Sequence, residues 1–500
     1  MKFPKHIFVL LIMMKISLIS KHIALICLLT SLTIGCKPNS NDKGDYAYIG
    51  GEIINPKNQN IILYDTKGKV VDSLTLDFNN RFVHKIEDLQ SGLYMITHGG
   101  EYQKILLEPN DSIMFRLNTY DFDESLVFTG DGAKKNNYLI KTYLFNEKQE
   151  KKLVKYSKME PEAFHDFTEE RRNNQLKELS SFLEYNKESE LFKTIIEANI
   201  NYNSYADKEI YPFAYFGNNK LIHIKDLPEE FFAHRKDINY NSKILTRIYA
   251  YNRFLSSHIE NLATHKYYDD NAYHSKFNRH DMSYNKSKLD LVDSIISDET
   301  IKNNLLKYKT RDYVSHNHTV VEANEMLEYY LSKSSNEEDK KAMKELVSSL
   351  KLLRQGNQIP NLAVINYDNS EYNLNSIINK PTIIYFWSSN SKMQYRNSHY
   401  KVKGLKSKFP EVNFISINLN SNDDKTWKEI INNYDFPTTN EYRFKYPKKS
   451  RKILAVNYLN KAIIVNENAM ILHPNINIFK SDFSKSLGKL LQKKHLIVAK

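Results

Sequence analysis

Hydrophobic and polar positions follow three different patterns along this chain, and the changes fall near residues 46, 133 and 356. From Tyr46, short β-rich runs alternate with turn signals: Tyr48–Ile54, Asn60–Asp65, Val70–Leu76, Arg81–Ile86, Gly92–Thr97, Lys104–Leu107 and Ile113–Leu117. Seven runs at roughly ten-residue spacing predict a small antiparallel β-sandwich over 46–132. Ten of the 14 glycines precede Ala133, as turn-rich β structure requires. Between 133 and 355 only Gly217, Pro161, Pro212 and Pro228 interrupt the chain, which predicts helices. Apolar spacing of three and four recurs at Phe192, Ile195 and Ile196, at Ile301, Leu305 and Tyr308, and at Met326, Leu327, Tyr330 and Leu331. Pro161, flanked by Glu160 and Glu162, marks a helix start.

From 356 the β signal returns with a different character. Thr382–Trp387 is an almost wholly apolar run of β formers, the pattern of a strand buried on both faces. Ser391–Phe409 reads as a helix, Val412–Asn418 as a second buried strand and Lys425–Tyr434 as a helix. Lys461–Asn466 is a third strand, a turn leads into Met470–Leu472, and Phe483–Lys493 closes as a helix. That order predicts a mixed sheet with both faces covered.

The first 35 residues carry Lys2, Lys5, Lys15 and Lys21, no acid, and the apolar run Ile23–Gly35. The run falls short of the ~20 residues that span a bilayer, so it predicts a secretory signal. Met14–Lys21 would by itself open a well-proportioned signal. Leu32-Thr-Ile-Gly-Cys36 resembles the lipobox of bacterial lipoproteins, with Thr33 where leucine is usual. The resemblance implies an acylated Cys36 as first mature residue, a polar tether over 36–45, and a lipid-anchored protein of the cell envelope. Without residues 1–35 the formal charge falls from +12 to +8. No clustered footprint for nucleic acid accompanies that charge, and no nucleic-acid partner is expected. Cys27 leaves with the signal and Cys36 is lipidated, so no free thiol is expected in the mature chain.

The order of elements in 356–500 resembles the thioredoxin-like fold of membrane-anchored thiol–disulfide oxidoreductases. The motifs behind this are the lead-in Ile359–Asp368 with Glu371–Leu374, the strand end Tyr385-Phe-Trp-Ser-Ser389, Asn413–Asn418, and Trp427. A sandwich, a helical region and this domain together resemble long Bacteroidetes lipoproteins that carry an N-terminal domain of unknown function. The fold class expected is thus multidomain α+β: β-sandwich, helical middle over 133–355, and thioredoxin-like α/β domain over 356–500. The family places Cys-x-x-Cys at a helix start, and the corresponding positions here are Ser391 and Gln394, after Trp387. The family's cis-proline corresponds to Asn460 or its neighbour. A hydroxyl and an amide cannot carry out thiol–disulfide exchange, which needs a thiolate. The expectation is a redox-inactive binding or scaffold protein with a protein or peptide partner, needing no cofactor. The alternative is an envelope enzyme that works through a partner's cysteines.

Other chemistry reads as structural. Ser391 and His399 stand about two helical turns, ~12 Å, apart and cannot share a proton; Ser391 reads as a helix N-cap. His316 and His318 with Glu322 and Glu325 lack a ligand spacing that suits a helix or loop, and His258, His265, His274 and His280 are scattered, so no metal is expected. Lys445–Lys452 is the densest basic run and reads as a solvated loop that could contact anionic headgroups or an acidic partner. The tyrosine-rich stretches 201–205 and 211–216 suit either exposed contacts or interdomain packing.

Overall fold

The structure is a computed structural model that describes residues 44–217, 227–270, 277–316, 319–420 and 424–497. The signal, Cys36 and nearly all of the tether lie outside the described residues, as do His274 and His318. Among the described residues no helix is long and apolar enough to cross a membrane.

Eight strands build the first domain: β1 (Ala47–Ile54), β2 (Asn60–Tyr64), β3 (Val70–Thr75), β4 (Arg81–Ile86), β5 (Gly92–His98), β6 (Glu101–Leu107), β7 (Ser112–Asn118) and β8 (Val127–Asp131). They form two four-stranded sheets, ordered β4-β1-β7-β8 and β3-β2-β5-β6. Pairing is antiparallel except between β1 and β7, which run parallel. The parallel pair arises because the chain passes through the other sheet before β7 returns beside β1. Inward residues such as Ile49, Ile61, Ile105 and Phe115 fill the core between the sheets. Strand β8, which the sequence pattern leaves out, has only Phe128 buried and so shows no alternation.

Helix α1 (Ala133–Glu150) joins the sandwich to the helical domain. Its Asn136 amide bonds both N–H and C=O of Leu106 on edge strand β6, at 2.8 and 2.9 Å. Asn137 does the same for Phe128 on edge strand β8, both at 2.9 Å. Two consecutive amides therefore blunt an edge of each sheet, where unpaired backbone would otherwise template aggregation.

The helical domain continues with α2 (Leu153–Tyr156), α3 (Pro161–Tyr185), α4 (Glu190–Tyr215), α5 (Tyr249–Asp270), α6 (Met282–Ile295), α7 (Glu299–Val314), α8 (Val320–Lys333) and α9 (Glu337–Leu352). Pro161 sits in the first turn of α3, as its fixed φ favours. The tyrosine-rich stretches lie on α4 and pack within this domain: Tyr202 against Tyr251, and Tyr211 stacked on Phe164 at 4.2 Å. That corrects both readings made from sequence, because burial inside one domain was neither of them.

At the heart of these helices lies a buried charge cluster. Glu209 on α4 is fully buried, and its carboxylate meets His258 on α5 at 2.9 Å, Asn261 at 2.8 Å, and His234 and Arg235 of a short 3-10 segment at 3.2 and 2.6 Å. Burial would raise its pKa, but hydrogen bonds from His234, His258 and Arg235 hold it well below the usual carboxylate range. Neighbouring Asp207 binds Arg171 of α3 at 2.6 Å and Arg253 of α5 at 2.7 Å, so three helices share one polar clamp.

The last domain holds β9 (Ala363–Asn366), β10 (Glu371–Asn373), β11 (Thr382–Trp387), α10 (Lys392–Lys408), β12 (Asn413–Asn418), α11 (Asp424–Asn433), β13 (Glu441–Phe444), α12 (Pro447–Ile453), β14 (Lys461–Val465), β15 (Ile471–Asn477) and α13 (Phe483–Ile497). The seven strands form one mixed sheet, β10-β9-β13-β12-β11-β14-β15, parallel at β11/β12 and β12/β13. All six residues of β11 are buried, as its apolar run predicts. Separate apolar clusters cover the two faces, one around Phe386 and Ile415 and one around Tyr385 and Phe414. Strand β13 and helix α12 have no counterpart in the sequence reading. The basic run 445–452 is therefore mainly a helix and not a solvated loop: Pro447 opens it, and Pro447 and Ser450 are buried beneath the charges.

Lys461, the first residue of β14, is buried and donates to the carbonyls of Leu454 and Ala455 at 2.7 and 3.1 Å. Burial pushes its pKa down to about 7, against 10.5 unperturbed. Between those values the unfolded chain holds a proton that the folded chain has shed, so stability rises with pH across that window. Lys461→Met should flatten the rise, read as the urea midpoint between pH 7 and 10; an unchanged slope would refute the assignment.

Candidate functional site

Ser391 and Gln394, which the sequence reading places at the family's cysteine positions, lie where β11 ends and α10 begins, and a network of amides holds that loop. Asn420 Oδ1, just past β12, accepts from the Ser388 hydroxyl at 2.9 Å and the Ser389 N–H at 2.8 Å. Asn418 donates to the Ser389 hydroxyl at 2.9 Å. Gln394 donates to the Phe386 carbonyl at 3.0 Å and more weakly to Leu459 at 3.5 Å, while its oxygen faces the Ser388 N–H at 3.4 Å. Its side chain thus ties the strand end, the loop and the residue preceding Asn460 together. At ~0.5–1.5 kcal/mol net for each good hydrogen bond, the network makes the loop a fixed surface.

Ser391 occupies the N-cap of α10 but makes no side-chain capping bond. The cap position read from sequence is where the helix begins, with Ser391 extended at φ −127° and ψ 90°. Asn460 is half-buried in the turn before β14, and no peptide bond among the described residues is cis. Trp387 does not line the site. It is fully buried and packs edge-on against Tyr395 and His399, in a cluster with Trp427. The end of β11 is covered on both faces, so the indole cannot reach solvent.

His399 finds a partner that sequence reasoning missed. Its Nδ1–H donates to the Tyr395 carbonyl at 2.7 Å, and its Nε2 faces Glu441 Oε1 on β13 at 3.0 Å. A carbonyl only accepts, so one proton lies between Nε2 and the carboxylate. Both side chains are buried, the imidazole stacks on Phe436 at 3.8 Å, and Ser416 stands 3.5 Å away. Among the described residues Glu441 Oε2 has no hydrogen-bond partner. The pair sits at a cavity of about 420 Å³ also lined by Arg396, Tyr434 and Phe436. His399 is therefore committed to Glu441 and Tyr395, not to Ser391.

Of the other histidine candidates, His274 and His318 lie outside the described residues. His258 belongs to the Glu209 cluster. His316 is exposed, Glu322 closes a capping box with Thr319, and Glu325 pairs with Lys286 at 2.7 Å. Among the described residues no three His, Cys, Asp or Glu side chains are placed to hold a metal ion.

The sandwich reaches this site. Gly100, in the β5–β6 turn with φ +90°, lies so close to Asn390 that an added Cβ would stand 2.5 Å from the Asn390 Cβ. Beside it, the Lys392 ammonium lies 5.2 Å from the Tyr120 ring centroid. The first domain thus touches the loop that bears the degenerate positions. Gly100→Leu meets both an unfavourable φ, costing ~1–2 kcal/mol, and a steric clash. A reporter cysteine placed at Ser391 should then be alkylated several-fold faster than in the Gly100 parent; equal rates would mean that the contact does not shield the loop.

Past the C-terminal end of β12, a groove of about 480 Å³ is lined by Asn420, Pro447, Lys448, Arg451, Val456 and Asn457. The basic run of the sequence therefore forms one wall of a groove beside the degenerate positions.

No curated protein matches the chain. Solved structures similar to it include the thioredoxin domain of a thiol-disulfide oxidoreductase from Bacteroides vulgatus (14% identity, 27% of this chain and 96% of that one, TM-score 0.23). A thiol-disulfide oxidoreductase from Bacteroides fragilis matches at 16% identity over 27% of this chain and 98% of that one, TM-score 0.23. A SCO1/SenC family lipoprotein from Bacillus anthracis matches at 11% identity over 27% of this chain and 94% of that one, TM-score 0.24. Residues 379–478 match the family model described as thioredoxin-like, and the C-terminal domain is a thioredoxin-like domain.

Proposed function

We propose that this protein is a lipid-anchored component of the cell envelope whose thioredoxin-like domain binds a protein or peptide and does not exchange disulfides. The observation that carries the reading is the replacement at Ser391 and Gln394. No sulfur stands there, and the Gln394 amide is spent on the Phe386 and Leu459 carbonyls. Thiol–disulfide exchange needs a thiolate nucleophile, and the sequence holds no cysteine beyond Cys36. Loss of the thiols leaves the adjoining groove as a surface for recognition. The anchor is Cys36, and the polar residues after it serve as the tether.

Three measurements test this. The purified mature chain should reduce insulin disulfides no faster than a protein-free blank, and turnover above the blank would sink the binding reading. Palmitate labelling in cells should be lost in Cys36→Ser; label retained there would remove the anchor. Cross-linking in cells should then capture a partner that is lost on mutation of the groove residues Lys448 and Arg451.

A further inference from the structure

The apolar seam between the helical and thioredoxin-like domains is α9. Leu346 and Leu350 pack against the cores of both domains, and Leu353 just after the helix is buried in the second core. Beside that seam the domains stand apart. The C-terminal end of α7 faces β15 and α13 across a cavity of about 800 Å³, continuous with a second lobe of about 440 Å³. The lobes share Ser315, His316, His473 and Asn475. A hydrogen bond crosses the gap, from the Asn475 amide to the Ser315 carbonyl at 3.3 Å. Sites for small ligands lie preferentially at such domain interfaces, with volumes of ~300–1,000 Å³.

The lining has an unbalanced charge. Arg311, Lys480 and Lys489 border the larger lobe, and Lys351 and Arg354 the smaller one. Only two carboxylates, Asp312 and Asp482, stand against them. Among the described residues none of these five cations has a carboxylate partner. The contrast lies next door, in a pocket that also contains Arg311: there Lys307 pairs with Asp339 at 2.6 Å and Lys452 with Glu345 at 2.9 Å. Two of the three cations in that neighbouring pocket are neutralised, whereas those around the larger cavity are not. Between the charges the wall offers neutral hydrogen-bonding groups, Asn457, Asn477, Ser486 and the Tyr308 and Tyr458 rings. Tyr308 continues the apolar stripe of α7 in sequence yet is half exposed, because it faces this cavity.

We propose that this interdomain cavity binds a small polyhydroxylated anion, with the carboxylate or phosphate held near Arg311 and Lys480 and the hydroxyl groups met by the asparagine and tyrosine side chains. The site borders the groove beside Asn420 at Asn457 but draws on different cations, so it stands whether or not that groove binds a peptide. A ligand that contacts both α7 and β15 would also fasten the two domains together.

The test is isothermal titration of the mature chain with galacturonic acid, glucose 6-phosphate and glucose at low salt. At least one charged sugar should bind, glucose should bind at least tenfold more weakly, and the affinity should fall as salt rises. Whichever anion binds identifies the group as carboxylate or phosphate. Arg311→Ala/Lys480→Ala changes two exposed residues and should weaken binding about tenfold or more. Ser486→Trp, which fills the cavity without altering its charge, should abolish binding, and it keeps the test decisive if the double variant does not fold. Absence of binding by both charged sugars, binding of glucose as tight as theirs, or unchanged affinity in a folded variant would overturn the proposal.

Discussion

Glu209→Ala is expected to lower the unfolding free energy of the helical domain by about 3–5 kcal/mol, the range for breaking a buried ion pair by removing one partner. The carboxylate is the hub of its cluster: Arg235, His234, His258 and Asn261 all direct donors at it. Alanine takes the shared acceptor from a half-buried guanidinium and two buried imidazoles, of which His258 retains only the Tyr240 hydroxyl, so their desolvation is less well offset. Glu209→Gln, which keeps shape and one acceptor, should lose less. Urea unfolding followed by far-ultraviolet circular dichroism reads both; a loss below ~1 kcal/mol for alanine would mean that water replaces the carboxylate. The same residue shapes the acid limb. Its folded pKa lies well below the unfolded value of 4.5, so its contribution is complete above that value and is lost as pH falls through the folded pKa. The alanine variant should lack that part of the acid dependence.

Glu441→Ala should destabilise the thioredoxin-like domain by a similar ~3–5 kcal/mol, for the same reason. His399 would keep its bond to the Tyr395 carbonyl and its stacking on Phe436, but Nε2 would face an empty buried space. The paired substitution His399→Phe/Glu441→Leu removes both polar groups and should recover most of the loss, because a buried ion pair is often no more stable than a packed apolar pair. If the double variant is as unstable as Glu441→Ala, the cost comes from the cavity and not from the unpaired imidazole. Trp387 fluorescence reports the event directly, since the indole packs edge-on against His399.

The parts of this protein that were legible in its sequence are those that local pattern encodes. The all-apolar run Thr382–Trp387 is strand β11 to the residue. The start of α10 at Lys392 follows Ser391, and Pro161 opens α3. The absence of any cysteine after Cys36 is a fact of composition and needs no fold. Strand β13 was missed because Glu-Tyr-Arg-Phe is four residues long, too short for a period to stand out. With it went Glu441, the partner of His399 42 positions earlier.

What the tertiary structure alone decided is which polar group meets which. Asn418 and Asn420 end β12 with no local signal, and only the parallel pairing of β11 with β12 brings them to the Ser388–Ser389 loop. Glu209, His234 and His258 come from three elements, and Gly100 meets Asn390 across two domains. Apolar burial is non-directional and leaves a period in the sequence wherever an element has an inside face. Hydrogen bonds and ion pairs are directional and reach only ~3 Å, so their partners are chosen by how distant elements pack. The sequence therefore determined the thioredoxin-like order of elements in the last domain and the Ser391 and Gln394 side chains within it, and packing alone decided which amides, acids and histidines surround them.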